Sequence, residues 1–231
     1  MGTLFIVPTP IGNLEDITLR ALRVLREADL ILAEDTRTSS VLLRHHGIHR
    51  PLMSHHKYNE HGTSKAVVEH IMEGDNVALI SDAGTPGVSD PGFYLVREAL
   101  QAGVHVECLP GPTALIPALV ASGLPTDRFI FEGFLPQKKG RQSRMEALRE
   151  ENRTMVFYES PHRLLKLLEL AADIMGEQRH VCVAREISKI HETYVRGTLH
   201  EAILHFKDTP PKGEIVVVIE GKPKKSKTND E

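Results

Sequence analysis

No stretch of this 231-residue chain approaches the roughly 18 consecutive apolar residues of a membrane-spanning helix, so an integral helical membrane protein is excluded and no membrane partner is expected. Cysteine is nearly absent. Cys108 and Cys182 lie in separate apolar runs without a CxxC spacing, which reads as two buried free thiols rather than a disulfide framework or a zinc site. The start, Met1-Gly2-Thr3-Leu4-Phe5-Ile6, lacks the basic region of a secretory signal and does not fit a myristoylation site; a cytoplasmic location is expected. Basic charge is not in excess, with 28 Lys and Arg against 31 Asp and Glu, so the chain carries no global basic signature for nucleic acid, and no DNA partner is expected. Three catalytic or nucleotide motifs are missing as well. G-x-x-x-x-G-K-[ST] would mark a triphosphate cradle, G-x-G-x-x-G a dinucleotide cradle and G-x-S-x-G a hydrolase elbow.

What is present is a loop-rich α/β pattern on an ordinary composition, 41% apolar and 26% charged, enough for a sizeable core. The segment Ser81-Asp82-Ala83-Gly84-Thr85-Pro86-Gly87-Val88-Ser89-Asp90-Pro91-Gly92 follows a buried-strand run at 76–80 and precedes a helical pattern. Connections of this kind usually take about 2–6 residues. A longer one holding three glycines, two prolines and two aspartates suits close backbone approach to a ligand at the carboxyl end of a strand. Pro8–Asn13, Pro110–Thr113 and Glu159–Arg163 share that strand-to-helix context, and Pro8–Asn13, Ser81–Gly92 and Pro110–Thr113 are expected to line one edge of a parallel sheet.

Short apolar runs at 4–7, 30–33, 76–80 and 104–109 alternate with helical patterns from a cap at Asp16, at 38–46, at 63–73 and at 93–102, and a further helix, opened by Pro110–Ala114, runs to about 122. This predicts a mostly parallel sheet with helices on both faces. Gly123-Leu124-Pro125 then breaks the chain, so an N-terminal α/β domain is placed at 1–123 and a C-terminal one at 124–221. In the latter, strands are expected near 128–134, 153–158, 180–184, 193–197 and 214–220, with helices near 141–151, 161–175 and 198–206. The polar segment 222–231 reads as a disordered basic tail. Charge divides unevenly: residues 1–123 hold 9 Lys and Arg against 14 acids, while 124–231 hold 19 against 17.

Several groups carry candidate chemistry. Glu34, Asp35 and Arg37 follow a strand; they pair a base with a phosphate clamp, or Asp35 caps the next helix while Arg37 meets a surface acid. His55, His56, Asn59 and Glu60 form a second acid–base group. Lys138, Lys139, Arg141 and Arg144 make a basic cluster, and His162, Arg163, Arg185 and Lys189 are further phosphate candidates. Ser160-Pro161 reads as a helix N-cap followed by an N1 proline. The histidine crowd at 45, 46, 49, 55, 56 and 61 matches no zinc spacing, and no metal is expected.

Val7–Thr18, Ala33–Arg37, Ser81–Gly92, Pro110–Leu115, Phe131–Pro136, Phe157–Arg163 and Lys212–Ile215, in this order across residues 3–221, resemble the 16S rRNA (cytidine-2′-O)-methyltransferases, the ribosomal small subunit methyltransferase I family of the tetrapyrrole methylase superfamily. That resemblance implies two α/β domains with the active-site cleft between them, a mixed sheet in the second, S-adenosylmethionine as donor, and a homodimer acting on the decoding region of 16S rRNA within the 30S subunit. Donor contacts carried over are Pro10, Asp82, Ala83, Gly84, Val88, Ser89, Thr113 and Ala114, then Tyr158, Gly213 and Glu214. Acceptor-side residues are Glu34, Asp35, Arg37, His56 and Asn59, and the RNA contacts are Arg37, Lys138, Lys139, Arg141, His162, Arg163, Arg185 and Lys189. Porphyrin enzymes of the superfamily usually read G-x-G-P-G-D after the first strand; Pro8-Thr9-Pro10-Ile11-Gly12-Asn13 is the RNA branch's version. The resemblance also implies a C-terminal helical extension in many relatives, where this sequence has only the charged tail. The rival readings are a precorrin or other small-molecule methylase of the same fold and a donor-binding, non-catalytic rRNA-associated protein.

Overall fold

Four-residue apolar runs buried on both sides form the centre of the first sheet. In the computed structural model, which describes residues 1–223, the chain divides into two compact units after Thr113. The first unit runs β1 (Thr3–Ile6), α1 (Leu19–Glu27), β2 (Leu30–Ala33), α2 (Thr36–His45), β3 (Leu52–Ser54), α3 (Glu60–Glu73), β4 (Val77–Ile80), α4 (Phe93–Gln101) and β5 (His105–Cys108). Its strands lie in the order β3-β2-β4-β1-β5, all parallel. Within β4 the pleat sends Ala78 and Ile80 into one apolar cluster with Val24, Leu25 and Leu43, and Val77 and Leu79 into the other with Val67, Ile71 and Leu95. Helices therefore cover both faces. Strand β3 has no counterpart among the expected elements, and Cys108 is exposed because β5 is an edge strand, whereas Cys182 is buried.

Capping sets where α1 begins. Asn13 accepts from the Glu15 amide to close a 3-10 turn over Leu14–Asp16, and Thr18 Oγ1 accepts from the Ala21 amide at 3.0 Å. Thr18, not Asp16, is the N-cap, a role worth about 1 kcal/mol.

The second unit starts at Ala114 and runs α5 (Leu115–Ser122), β6 (Phe129–Phe134), α6 (Arg141–Ala147), β7 (Thr154–Glu159), α7 (Leu164–Met175), β8 (His180–Arg185), β9 (Thr193–Thr198), α8 (Leu199–Asp208) and β10 (Ile215–Ile219). Its order is β6-β7-β10-β8-β9, with β6 and β7 parallel and every other pair antiparallel. Central β10, Ile-Val-Val-Val-Ile, is wholly buried. Leu164, Leu167, Leu168, Leu199 and Phe206 pack its core on one side. Helix α5 packs on β7, β8 and β10, so it belongs to this unit, and the division falls before the helix rather than after it at Gly123. Of the expected tail, Lys222 is held by Glu150 and by the Glu151 carbonyl, and residues 224–231 lie outside the described residues. Among the described residues, no helix is long and apolar enough to cross a membrane.

Candidate functional site

Because β1 and β4 are parallel neighbours, the loops that follow them leave the same edge of the sheet. The Thr9 and Gly84 backbones exchange two hydrogen bonds, 2.8 and 2.9 Å, an antiparallel bridge beyond an otherwise parallel sheet. Thr9 Oγ1 donates to the Ser81 carbonyl at 3.0 Å, Ser81 Oγ donates to the Gly84 carbonyl at 3.2 Å, and Thr85 Oγ1 donates to the Pro112 carbonyl at 2.9 Å. Three loops from distant parts of the sequence are thereby tied into one body. Gly84 has φ +89°, and a Cβ on Gly111 would sit 2.7 Å from Pro8 Cβ, so both glycines are required where the loops meet. Thr9 and Thr85 carry this junction, yet neither stands out in the sequence; each lies beside prolines, which lack an N–H and leave a hydroxyl as the local donor. Around it Pro10 and Gly84 are buried, Ala83, Val88 and Thr113 half-buried, and Asp82 and Ser89 exposed, Ser89 with φ 65°.

Three carboxylates gather at the same edge, Glu34 and Asp35 after β2 and Asp82 after its neighbour β4. Asp82 Oδ1 accepts the Asp35 amide at 3.1 Å. Asp35 caps α2, accepting the Arg37 amide at 2.8 Å, and its two oxygens also take Arg37 Nε at 3.1 Å and Nη2 at 2.6 Å. Those Arg37 hydrogen bonds hold the Asp35 carboxyl down at about 2. Such a carboxylate is a cap and a guanidinium partner rather than a proton acceptor at neutral pH. Glu34 differs: burial, then the Asp82 charge, push it above the ordinary carboxylate range, with His56 opposing. Asp82, although open to solvent on one side, is also raised, first by partial desolvation of its carboxyl, while the Asp35 amide works against the shift.

His56 is set by its own loop. Asn59 Oδ1 accepts the His56 amide at 2.7 Å and Asn59 Nδ2 donates to the Ser54 carbonyl at 3.0 Å, so Asn59 acts as a clamp through both ends of its side-chain amide. The Tyr58 amide donates to His56 Nδ1 at 3.2 Å, which leaves Nε2 to carry the proton of a neutral ring. The histidine crowd disperses into separate roles. His55 is buried against Thr63 Oγ1 at 2.9 Å, His61 packs at a tilt against Tyr94 with centroids 4.0 Å apart, and His45 meets His46 edge-on. Among the described residues, no group of three His, Cys, Asp or Glu side chains is placed to hold a metal.

In the second unit Tyr158, near the end of β7, is flanked edge-on by Phe131 at 4.9 Å and Phe134 at 5.6 Å. The next residue, Glu159, is the group that sequence reasoning missed. Its carboxylate is fully buried and receives Arg141 Nη2 at 2.8 Å, Arg163 Nε at 3.0 Å and the Ser160 amide at 2.8 Å. A carboxylate closing an apolar strand, Met-Val-Phe-Tyr-Glu, was the available signal. Arg141 and Arg163 are thus engaged internally rather than presented to a phosphate. Ser160 is not a helix cap: α7 starts at Leu164 after a turn in which Ser160 Oγ accepts Arg163 Nε. Arg185 is likewise occupied, by Thr193 Oγ1 and the carbonyls of His191 and Lys212. Lys189 Nζ bridges Glu186 and Glu214 at 2.9 and 3.1 Å, and Glu186 Oε1 accepts the Glu214 amide. At Gly213, φ +85°, a Cβ would lie 2.3 Å from the Glu186 carboxyl. Lys138, Lys139 and His162 are exposed.

The model of the family "Tetrapyrrole (Corrin/Porphyrin) Methylases" matches residues 3–203. A Haemophilus influenzae protein called ribosomal RNA small subunit methyltransferase I is 51% identical over 233 residues, covering 100% of this chain and 82% of the relative. A Thermotoga maritima protein of the same name is 51% identical over 222 residues, 96% of this chain and 100% of the relative. Among solved structures, a uroporphyrin-III-C-methyltransferase from Thermus thermophilus superposes with TM-score 0.67 at 23% identity, covering 96% of this chain and 95% of its own. A diphthine synthase does so with TM-score 0.74 at 16% identity, covering 95% and 90%. These two share the fold.

Proposed function

This chain belongs to the tetrapyrrole (corrin/porphyrin) methylases and, within them, to the ribosomal RNA small subunit methyltransferase I family, and from that premise we propose that it 2′-O-methylates the ribose of a cytidine in the decoding region of 16S rRNA. The observation that carries the reading is the fused loop junction of Thr9, Gly84 and Pro112 standing beside Glu34, Asp82 and His56 at one sheet edge. S-adenosylmethionine supplies an electrophilic methyl group on a cationic sulfonium. The donor set fits it: backbone brought close at Gly84, and carboxylates whose mutual repulsion a nearby cation relieves. Pro10, Asp82, Ala83, Gly84, Val88, Ser89 and Thr113 are the first unit's candidates to hold the donor. Ala114, Tyr158, Gly213 and Glu214 are the second unit's.

Of the three carboxylates, Glu34 is assigned the base. Glu34 would take the proton of the 2′-hydroxyl as that oxygen attacks the methyl group the donor would supply, the sulfonium sulfur being the leaving group that would keep the bonding pair. The raised affinity of Glu34 for a proton makes it a stronger acceptor than Asp35. Asn59 positions His56, and Arg37, 90% exposed at its side chain, presents its outer face to the RNA. Lys138, Lys139 and His162 are the remaining phosphate contacts in this proposal. Homodimerisation, a cytoplasmic location and the 30S subunit as the substrate particle belong to the same reading.

The test is transfer of tritium from labelled S-adenosylmethionine to 30S subunits prepared without the corresponding methylation. Label at one alkali-resistant cytidine is the expected result, since a 2′-O-methyl group blocks cleavage at its own 3′ linkage. Label on a tetrapyrrole precursor instead, or donor binding with no transfer to any ribosomal particle, refutes it.

A further inference from the structure

The turn that ends α2 reads Arg44-His45-His46-Gly47-Ile48-His49-Arg50, five basic or imidazole side chains in seven residues without one acid. Gly47, φ +63°, reverses the chain, its amide donating to the Arg44 carbonyl and the Ile48 amide to Leu43. This turn and the start of β3 border an open, solvent-facing hollow of about 540 Å³. Arg44, His49, Arg50 and Ser40 line it over an apolar floor of Leu43 and Ile48, and no carboxylate is among its lining residues. Arg44, His49 and Arg50 are exposed, and among the described residues none of the three takes part in a salt bridge.

One alternative role for these charges is to offset the negative end of the α2 dipole. That explains Arg44 and His45, which sit in the last turn. It does not explain His49 and Arg50, which lie past the end of the helix on the approach to β3. A helix end carries roughly half a negative charge, against two full guanidinium charges here. His46 is held below its ordinary value by burial first, and then by His45 and Arg26, as expected where positive groups lack acidic partners.

Helix α2 connects this hollow to the acceptor-side residues. Arg37, Val41 and Arg44 are spaced i, i+4, i+7, one face of a helix, and all three are exposed, Val41 to 62%. The seven-residue interval is a rise of about 10 Å. Arg37 stands at the helix start beside Glu34 and Asp35, and Arg44 at its end beside the hollow.

We propose that the Arg44–Arg50 hollow is a phosphodiester-binding exosite, which grips the backbone of the RNA substrate one helix length from the reacting ribose, with the exposed face of α2 as the track between. The inference rests on the RNA reading of the function. Guanidinium groups suit it, since they chelate phosphate oxygens in a fixed fork. Its position at the opposite end of α2 gives the first unit, acidic in sum, a local basic surface of its own.

The experiment compares wild-type protein with the Arg44→Ala/Arg50→Ala double variant across a salt series, measuring affinity for unmethylated 30S subunits, donor binding by calorimetry and methyl transfer. The expected result is RNA affinity reduced at least tenfold, a log–log salt slope lowered by about 0.7–0.9 for each phosphate no longer neutralised, and unchanged donor binding. An unchanged slope and affinity, with wild-type transfer intact, overturns the exosite and leaves the function standing. No transfer to RNA by wild-type protein sinks the function itself. Inorganic phosphate is the second probe. Saturable phosphate binding that the double variant loses, with RNA affinity untouched, identifies a free-anion site and also overturns the proposal.

Discussion

Replacing Glu159 by Gln should destabilise the protein far more than an ordinary surface change. The carboxylate is completely buried at the end of β7 and is the common partner of Arg141, Arg163 and the Ser160 amide, at 2.8, 3.0 and 2.8 Å. The Arg141 side chain is only 13% exposed and its Nη1 is buried without a partner, so it has little water to fall back on. Glutamine keeps the shape and one acceptor but turns a donor toward a guanidinium and leaves two cations facing a neutral group. Breaking a buried pair in this way costs about 3–5 kcal/mol. With a urea slope of about 2 kcal/mol/M, the unfolding midpoint of the second unit should fall by roughly 1.5–2.5 M. The Arg141→Met variant should lose a similar amount, and the Glu159→Gln/Arg141→Met pair less than the sum, because both remove one interaction. Circular dichroism in urea is the assay. A midpoint shift under about 0.3 M, or strict additivity of the pair, would refute the view that Glu159 organises this corner. So would Arg141 and Arg163 variants that keep full stability while losing RNA affinity.

Four further expectations concern the site. Methyl transfer should fall on the acid side as Glu34 takes up a proton, above the ordinary carboxylate range; Asp82→Asn should move that limb to lower pH and His56→Ala to higher pH, and the opposite order in pH–rate profiles contradicts the assignment. Gly111→Ala puts a methyl 2.7 Å from Pro8 and should cost about 1–3 kcal/mol while weakening donor affinity in calorimetry; unaltered affinity argues that the loop junction does not form the donor site. Asp35, lowered from 3.8 to about 2, contributes stability above the upper value that is lost as pH falls through the lower one, so Asp35→Asn should remove that component of an acid titration while retaining a capping acceptor. Asp82→Ala should weaken donor binding, whereas Arg37→Ala should spare it and lower RNA turnover; equal loss of donor affinity in both rejects that division of roles.

Long apolar runs and strand-to-helix loops were legible in the sequence because their burial and their glycines leave strong local marks. β4 and β10 are read directly from Val-Ala-Leu-Ile and Ile-Val-Val-Val-Ile. β3 was not, since three half-buried residues at a sheet edge have no period to detect. Thr18 took the cap from Asp16 because a 3-10 turn intervened, and α5 joined the second unit through packing that no local pattern encodes. Among site residues, the grouping of Glu34, Asp35 and Asp82 was half visible. Each follows a strand, yet only the β2–β4 adjacency brings them together. Whether an arginine is free or spent was not visible at all. Arg37, Arg141, Arg163 and Arg185 look alike as letters, and only tertiary partners separate them.

The strand order of the first sheet also sets a timetable for making the protein. β1 pairs only with β4 and β5, and its register partner for Leu4 is Val77, more than 70 residues later. At about 5–20 residues per second of synthesis, the first strand waits roughly 4–15 s for its earliest neighbour. During that interval Leu-Phe-Ile-Val is an unpaired apolar edge on a nascent chain, a natural client for a holding chaperone. Slowing translation before β4 should lengthen that exposure, whereas a pause after β5 should leave it unchanged. The first strand to be made can pair only after β2, β3 and β4 exist.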